Sequence, residues 1–279
     1  MILGRQFFVT PSDSLAIIAA HANLIPFFSL QGGLKSVARS MPTSGAVDRV
    51  AEKLGLDLFE VPTGWKFFGN IMDSKDIYKG KNFNPMICGE ESFGTGSNHV
   101  REKDGMWAVL AWLSILAHYN ADASAPFVHV ENIVKKHWET YGRNFYVRYD
   151  YEGVAKDNAT ALMNTLIGSF GGLVGQTFLD GKYQIESADE FEYLDPIDGS
   201  VSSHQGIRIL FVGGSRIIFR LSGTAGSGAT IRMYVEKYED DAAKLLLPVR
   251  EALSEMVTIA LEISKMAEIT GMQAPTVIT

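Results

Sequence analysis

Two arginines, Arg220 and Arg232, bracket the stretch "LSGTAGSGATI". Between them lie four hydroxyl residues, Ser222, Thr224, Ser227 and Thr230, and three glycines, Gly223, Gly226 and Gly228. A guanidinium presents a planar fork of N–H donors that matches the oxygens of a phosphate. Glycines let a backbone approach closely and turn its N–H groups towards an anion. Each charge-assisted hydrogen bond of this kind contributes about 1.5–3 kcal/mol net. The pattern therefore suits a phosphate dianion, and it equally suits a plain surface loop. A nucleotide loop is disfavoured. G-x-x-x-x-G-K-[ST] fits from Gly223 to Gly228 but meets Ala229 where lysine is required, and no G-x-G-x-x-G is present.

Three further stretches carry chemistry. In "CGEESFGTGSNHVREKDG" (88–105), Glu90 and Ser92 are two apart, so an extended loop points both the same way. A carboxylate beside a hydroxyl suits paired sugar hydroxyls, which donate and accept together. Lys103 can neutralise a phosphate or move a proton. The competing reading is a solvated charged loop. In "EVPTGWKFFGN" (60–70), Thr63 and Gly64 sit at a turn where backbone can touch a ligand, while Trp65, Phe67 and Phe68 read as core. In "ARSMPTSGA" (38–46), Arg39 and the hydroxyls follow a strand, with helix capping by Ser44 the preferred role. The six histidines show no metal spacing. "EYLDPIDGS" (192–200) reads as a turn, because the calcium-loop spacing is missing, and Cys88 reads as packing.

The elements that must position these residues follow from hydropathy patterning. "MILGRQFFVT" reads as a hairpin around Gly4 and Arg5. "TPSDSLAIIAAHANLI" opens a helix with Thr10 or Ser12 as cap, Pro11 early and Asp13 near the positive helix end. "LKSVARSM" and "LDLFEVP" read as strands around a helix "VDRVAEKLG" ended by Gly55, and "MICGEES" as the next strand and its loop. This alternation predicts an α/β unit with a mostly parallel sheet. "MWAVLAWLSILA" (106–117) is too short for a membrane span, which needs about 20 residues, and reads as a buried helix. After "VHVENIVKKHWETYG" the pattern changes. "RNFYVRYDYE", "GSRIIFRLSG" and "TIRMYVEKY" alternate as strands, "RILFV-GGS-RIIFRL" as a Gly-Gly hairpin, "KDNATALMNTLIG" as a helix, and Pro248 stands near the start of a long one. The second half is therefore α+β, with the boundary at 125–145.

The bulk numbers set outer limits. The chain has 279 residues, a net charge of −7 and one cysteine, so it forms no internal disulfide, and a reducing compartment such as the cytoplasm fits. The negative charge argues against general binding to nucleic acid or an anionic membrane, and leaves an anionic ligand to a local basic pocket. No secretory signal is visible.

"PTGWKFFGN", "CGEESFGTGS", "REKDGMWAVLAWLSILA", "GSRIIFRLSGT", "GATIR" and "TGMQAPTVIT" closely resemble eukaryotic phosphoglucomutase, its parafusin branch included. The resemblance runs in order over essentially the whole chain. It implies the later half of a four-domain α-D-phosphohexomutase: residues 1–10 as a remnant of the second domain, 11–140 as the α/β third domain, which recognises the sugar, and 141–279 as the α+β fourth domain, which resembles the TATA-binding-protein fold and binds phosphate. It implies that Glu90 and Ser92 of "GEES" select the sugar, with Thr63 and Gly64 as a second sugar contact. Lys103 corresponds to a lysine near the transferred phosphoryl group, and Arg220, Ser222, Gly223, Thr224 and Arg232 to the loop that anchors the phosphate not being transferred. The reaction implied interconverts glucose 1-phosphate and glucose 6-phosphate through glucose 1,6-bisphosphate, with a phosphoserine as donor and Mg2+ as cofactor.

Two family motifs are not in this sequence. Neither the T-A-S-H-N-P-G-G phosphoserine loop nor the D-G-D-G-D-R magnesium loop occurs in it. The resemblance therefore implies a phosphohexose as ligand, the N-terminal half of a mutase as partner, no metal ligand here, and no turnover by this chain alone. "SKDIYKGKNFNPM" (74–86) reads as a surface insertion. The alternative from another class is a non-catalytic, aciculin- or parafusin-like structural or vesicle-associated protein, which degraded sugar or phosphate loops would favour.

Overall fold

In the computed structural model, residues 2–3, 7–77, 81–223 and 228–279 are described. They form two compact units, Met1–Arg143 with Leu194–Val201, and Asn144–Tyr193 with Ser202–Thr279. The 194–201 segment groups with the first unit by its contacts, Asp195 among them. The Asp195 carboxylate is buried, accepts from Ile197 N at 2.8 Å, and holds Asn70 Nδ2 at 3.1 Å.

The first unit opens with β1 (Ile2–Leu3) paired antiparallel to β2 (Phe7–Phe8); the expected Gly4–Arg5 turn lies outside the described residues. Helix α1 (Pro11–Ala20) begins where capping chemistry dictates, with Thr10 Oγ1 accepting from Asp13 N at 3.0 Å. Asp13 is buried and accepts from Trp138 Nε1 at 3.0 Å. Burial pushes its carboxyl above the ordinary value, against those hydrogen bonds and the nearby Arg143. After α2 (Pro26–Ser29) come β3 (Ser36–Ser40), α3 (Ala46–Leu54) and β4 (Asp57–Val61), with Gly55 in the left-handed region at φ 66° ending the helix. Then follow α4 (Trp65–Met72), α5 (Ser74–Ile77), β5 (Met86–Gly89), β6 (Thr95–Ser97), α6 (Gly105–Tyr119) and α7 (Val130–Tyr141). The sheet order is β4-β3-β5-β6; β3 runs parallel to β4 and β5, and β6 is antiparallel to β5. This is the mixed, mostly parallel sheet expected.

Two expectations are corrected here. Helix α6 is not a buried helix. Trp107, Ala111, Trp112 and Ile115 are covered, but Met106, Val109, Leu110 and Leu113 form an exposed apolar stripe, with Met106 74% and Leu110 61% accessible. A run that is apolar all round does not reveal which face it buries. The 74–86 stretch is not simply on the surface either. Tyr78–Gly80 lie outside the described residues, but Ser74 is fully buried, Phe83 packs edge-on against Phe59 at 4.8 Å, and Ser36 Oγ donates to Phe83 O at 2.7 Å.

The second unit is built on a seven-stranded sheet that begins in chain order with β7 (Arg143–Val154), followed by α8 (Lys156–Leu173). Next come β8 (Thr177–Phe178), β9 (Tyr183–Glu190), and the short ladder of β10 (Tyr193–Leu194) with β11 (Val201–Ser202). Strands β12 (Ile207–Phe211), β13 (Arg216–Gly223) and β14 (Ala229–Glu239), helices α9 (Val249–Ser264) and α10 (Met266–Thr270), and β15 (Val277–Ile278) complete it. The order is β15-β7-β14-β13-β12-β9-β8. Gly213 and Gly214, both at positive φ (89° and 88°), make the predicted tight turn between β12 and β13.

Alternation gives this sheet two different faces. Ile207, Ile209, Ile217, Phe219, Ile231, Met233 and Val235 form the core with Leu162 and Leu166 of α8 and Leu253, Met256 and Ile259 of α9. The residues between them point the other way and are mixed: Ile218 is apolar and buried, while Arg208, Arg216, Arg220, Arg232 and Glu236 are charged. Among them is a buried ion pair, Arg216 Nε to Glu236 Oε2 at 2.5 Å, with Asn144 Nδ2 donating to Glu236 Oε1 at 2.6 Å.

Candidate functional site

In the first unit, three separated segments converge on one carboxylate. Glu90 follows β5 directly, and its side chain is 5% exposed. Its Oε1 accepts from Gly64 N at 3.2 Å, and its Oε2 lies 3.2 Å from Lys103 Nζ. Gly64, at φ 134°, takes a backbone conformation that a side chain would strain, immediately before α4. The Lys103 ammonium is half-exposed and stands over the Trp65 ring, 5.8 Å from its centroid. Trp65 walls the same spot. A Cβ added to Gly94 would lie 3.1 Å from Glu90 Oε2 and 3.4 Å from the Trp65 ring, and one on Gly96 would lie 3.0 Å from that ring. Thr63 Oγ1 and Trp65 Nε1 are buried there without a hydrogen-bond partner among the described residues.

Ser92 does not join this cluster. The segment after Glu90 is a tight reversal, closed by Glu90 N to Gly94 O at 2.7 Å, because β6 returns antiparallel to β5. Glu90 is therefore buried and Ser92 exposed, so an extended loop pointing both the same way is not what forms. Phe93 completes the reversal at φ 67°. The neighbouring Glu91 reaches the 38–46 loop instead, accepting from Ser40 Oγ at 3.1 Å. Arg39 is structural. Its buried guanidinium grips Asp48 at 2.6 Å and Glu60 at 2.9 Å. Ser44 is not the expected helix cap: the N-cap of α3 is Gly45, with no side-chain cap, and Ser44 Oγ accepts only a local turn contact from Ala46 N at 3.2 Å. Cys88 is buried with Sγ 3.6 Å from Gly96 O, and burial pushes its thiol well up, so it packs.

In the second unit, the pairing of β13 with β14 sets the geometry. Arg220 stands directly opposite Arg232, and Ser222 opposite Thr230. With a side-chain period of two, these four residues share the polar face of the sheet. Gly223 faces Ala229 at the end of the ladder, and Thr224, Ala225, Gly226 and Ser227 lie outside the described residues. Arg220 Nη1 donates to Tyr234 OH at 3.4 Å. Arg232 Nε has no hydrogen-bond partner among the described residues, although the atom is buried. Gly228, at φ 101°, is wedged against β7: a Cβ there would lie 3.0 Å from Gly153 C and from Val154 O.

Sequence spacing singles out both arginines but not their register, nor Tyr234, nor the acidic and basic groups of β7 beside them. No group of three or more His, Cys, Asp or Glu side chains among the described residues is arranged to hold a metal ion.

Comparison with known proteins covers nearly the whole chain. The family model for phosphoglucomutase/phosphomannomutase, alpha/beta/alpha domain III, matches residues 11–141, and that for phosphoglucomutase-1, C-terminal domain, matches 143–276. The chain is 58% identical over its full length to a probable cytoplasmic phosphoglucomutase of Arabidopsis thaliana, covering 48% of that protein. It is also 58% identical to a cytoplasmic phosphoglucomutase of Mesembryanthemum crystallinum, again covering 48% of the relative. The open-form crystal structure of pp63/parafusin, a phosphoglucomutase from Paramecium, matches 99% of the chain and 45% of that protein with 54% identity and a TM-score of 0.87. The chain thus spans about half the length of the relatives it matches.

Proposed function

Because the chain belongs to the phosphoglucomutase/phosphomannomutase family, we propose that it provides the sugar-recognition and distal-phosphate sites of a mutase interconverting glucose 1-phosphate and glucose 6-phosphate. The observation that carries this reading is the cross-strand pair: Arg220 opposite Arg232 on one sheet face. Two guanidinium groups side by side repel each other unless an anion lies between them, and a phosphate matches both forks.

The rest of the assignment follows the chemistry of each group. Glu90 accepts from vicinal sugar hydroxyls, with Gly64 and Thr63 beside it and Ser92 at the tip of the reversal. Lys103, paired with Glu90 when no sugar is bound, neutralises phosphate oxygens at the reacting end; it is the one catalytic residue assigned here. Arg220 and Arg232, with Ser222, Gly223 and Thr224, hold the phosphate that is not transferred. In this reading residues 11–140 act on the sugar and 141–279 on the phosphate. A glucose 1,6-bisphosphate intermediate turns so that either phosphate enters the one socket. The phosphoserine and the Mg2+ ligands come from an N-terminal half of the kind the relatives carry, in the cytoplasm, as the names of the plant relatives support. Those names are of the enzyme and do not favour the non-catalytic alternative. No helix among the described residues is long and apolar enough to cross a membrane.

Calorimetry of the 279-residue chain with glucose 1-phosphate tests the assignment. Binding is expected, and Arg220→Ala weakens it by about 2 kcal/mol; equal affinity in the variant removes the phosphate role. A coupled glucose 6-phosphate assay of this chain alone is expected to show no magnesium-dependent turnover.

A further inference from the structure

The sheet face that carries Arg220 and Arg232 also carries a carboxylate and a third guanidinium. Asp150 of β7 is 4% exposed. Its Oδ2 lies 3.9 Å from Arg232 Nε, and its Oδ1 lies 2.9 Å from Arg148 Nε. Neither contact is a hydrogen bond: Arg148 Nε, Asp150 Oδ1 and Arg232 Nε are all buried without such a partner among the described residues. We propose that Asp150 is a positioning residue that holds Arg232 by charge alone and so sets how tightly the arginine pair grips a phosphate. The inference rests on the phosphosugar reading above and adds to it a residue that weakens the grip.

Two other acids in this chain meet an arginine with a close fork. Arg208 meets Asp189 through Nε at 2.9 Å and Nη2 at 2.8 Å, and Arg39 meets Asp48 through two donors at 2.6 Å. Asp150 stands back from Arg232 instead. It offsets the repulsion between Arg220 and Arg232, which face each other across the ladder. It also leaves the Arg232 Nε donor unspent, shielded from water, where a phosphate oxygen can take it. Arg148 draws the carboxylate the other way and keeps it from closing on Arg232. A phosphate entering the socket therefore competes with a fixed negative charge. It is held less tightly than the arginines alone would hold it, and it leaves more readily. A site whose ligand must depart and return has use for such a brake.

The experiment is calorimetry of the full chain with inorganic phosphate and with glucose 1-phosphate, at two salt concentrations. Asp150→Asn is expected to tighten both by about three- to tenfold and to steepen their salt dependence, since charge complementarity governs both. A merely structural role would lower the melting temperature without raising anion affinity. Equal or weaker binding in Asp150→Asn, alongside weakened binding in Arg232→Ala, overturns the inference and leaves the phosphate reading standing. Unchanged binding in both Arg220→Ala and Arg232→Ala overturns both. If Asp150→Asn does not fold, Arg148→Gln decides. It releases the carboxylate towards Arg232 and is expected to weaken phosphate binding, and no change sinks the proposal.

Discussion

The two units prepare their polar groups in opposite ways. In the first, Glu90 is satisfied from within, between the Gly64 amide and the Lys103 ammonium. In the second, among the described residues Arg220 donates to Tyr234 OH at a long 3.4 Å, and Arg232 Nε reaches no hydrogen-bond acceptor. A sugar is neutral and brings hydroxyls that both donate and accept, so it can displace internal partners one for one. A phosphate brings its own charge and needs donors left over. A self-satisfied carboxylate and an under-satisfied arginine pair can thus each be a binding site.

Substitutions in the two units put this contrast to the test. The largest effect is expected where the polar face is closed rather than open. Arg216→Ala leaves buried Glu236 without its guanidinium and is expected to cost about 3–5 kcal/mol, read as a fall in urea midpoint. If it costs as little as Arg220→Ala does, the distinction between locked and open arginines fails. Arg220→Ala should move the urea midpoint little while abolishing most of the glucose 1-phosphate affinity.

Acid should separate the units next. His137 of the first unit is buried, its Nδ1 without a hydrogen-bond partner among the described residues, and burial holds its imidazole down to about 3, with the charge of His21 adding to this. A base whose folded value lies below its unfolded one leaves stability intact above the unfolded value, about 6.5. Below that, the unfolded chain takes up the proton first, and stability falls by up to about 1.4 kcal/mol per pH unit towards pH 3. The raised Asp13 opposes this only in the carboxylate range, where the folded state binds the extra proton. Chemical denaturation at pH 7 and pH 5 should show the first unit losing more than the second, and His137→Phe should flatten the difference. A slope unchanged in the variant assigns the loss elsewhere.

Glu90→Gln keeps an acceptor for Gly64 but loses the charge facing half-exposed Lys103. It is expected to cost no more than about 1 kcal/mol of stability, while lowering affinity for the hexose itself. The smallest effect belongs to α6. Met106→Gln with Leu110→Gln, both on the exposed stripe, should stay within about 0.5 kcal/mol in stability, read as an unchanged urea midpoint.

Much of this organisation is legible in the sequence because it is local. Thr10 and Pro11 announce α1, Gly55 ends α3, Gly213 and Gly214 bend a hairpin, and strict alternation marks β13 and β14. What escaped is what depends on distant neighbours. Helix α4 was hidden because Trp65, Phe67 and Phe68 signal burial without signalling shape, and Gly64 looked like the end of the story. The covered side of α6 depends on what packs against it. Ser92 parts from Glu90 because β6 returns at once, and three residues carry too little pattern to announce a strand. Asp150 lies 82 positions before Arg232 in the chain, and nothing local marks a mid-strand aspartate as its neighbour.

Gly228 touching the backbone of Gly153 has a consequence for how the hairpin is read out. It works as a ruler. Were β14 to slip by one residue, a neighbour carrying a Cβ would be driven into the β7 main chain, and Arg232 would swing to the helix side of the sheet. The hydrogen that stands in for a side chain at residue 228 thus helps decide on which side of the sheet Arg232 will stand; the same close approach that forbids a side chain there keeps the two guanidinium groups in step.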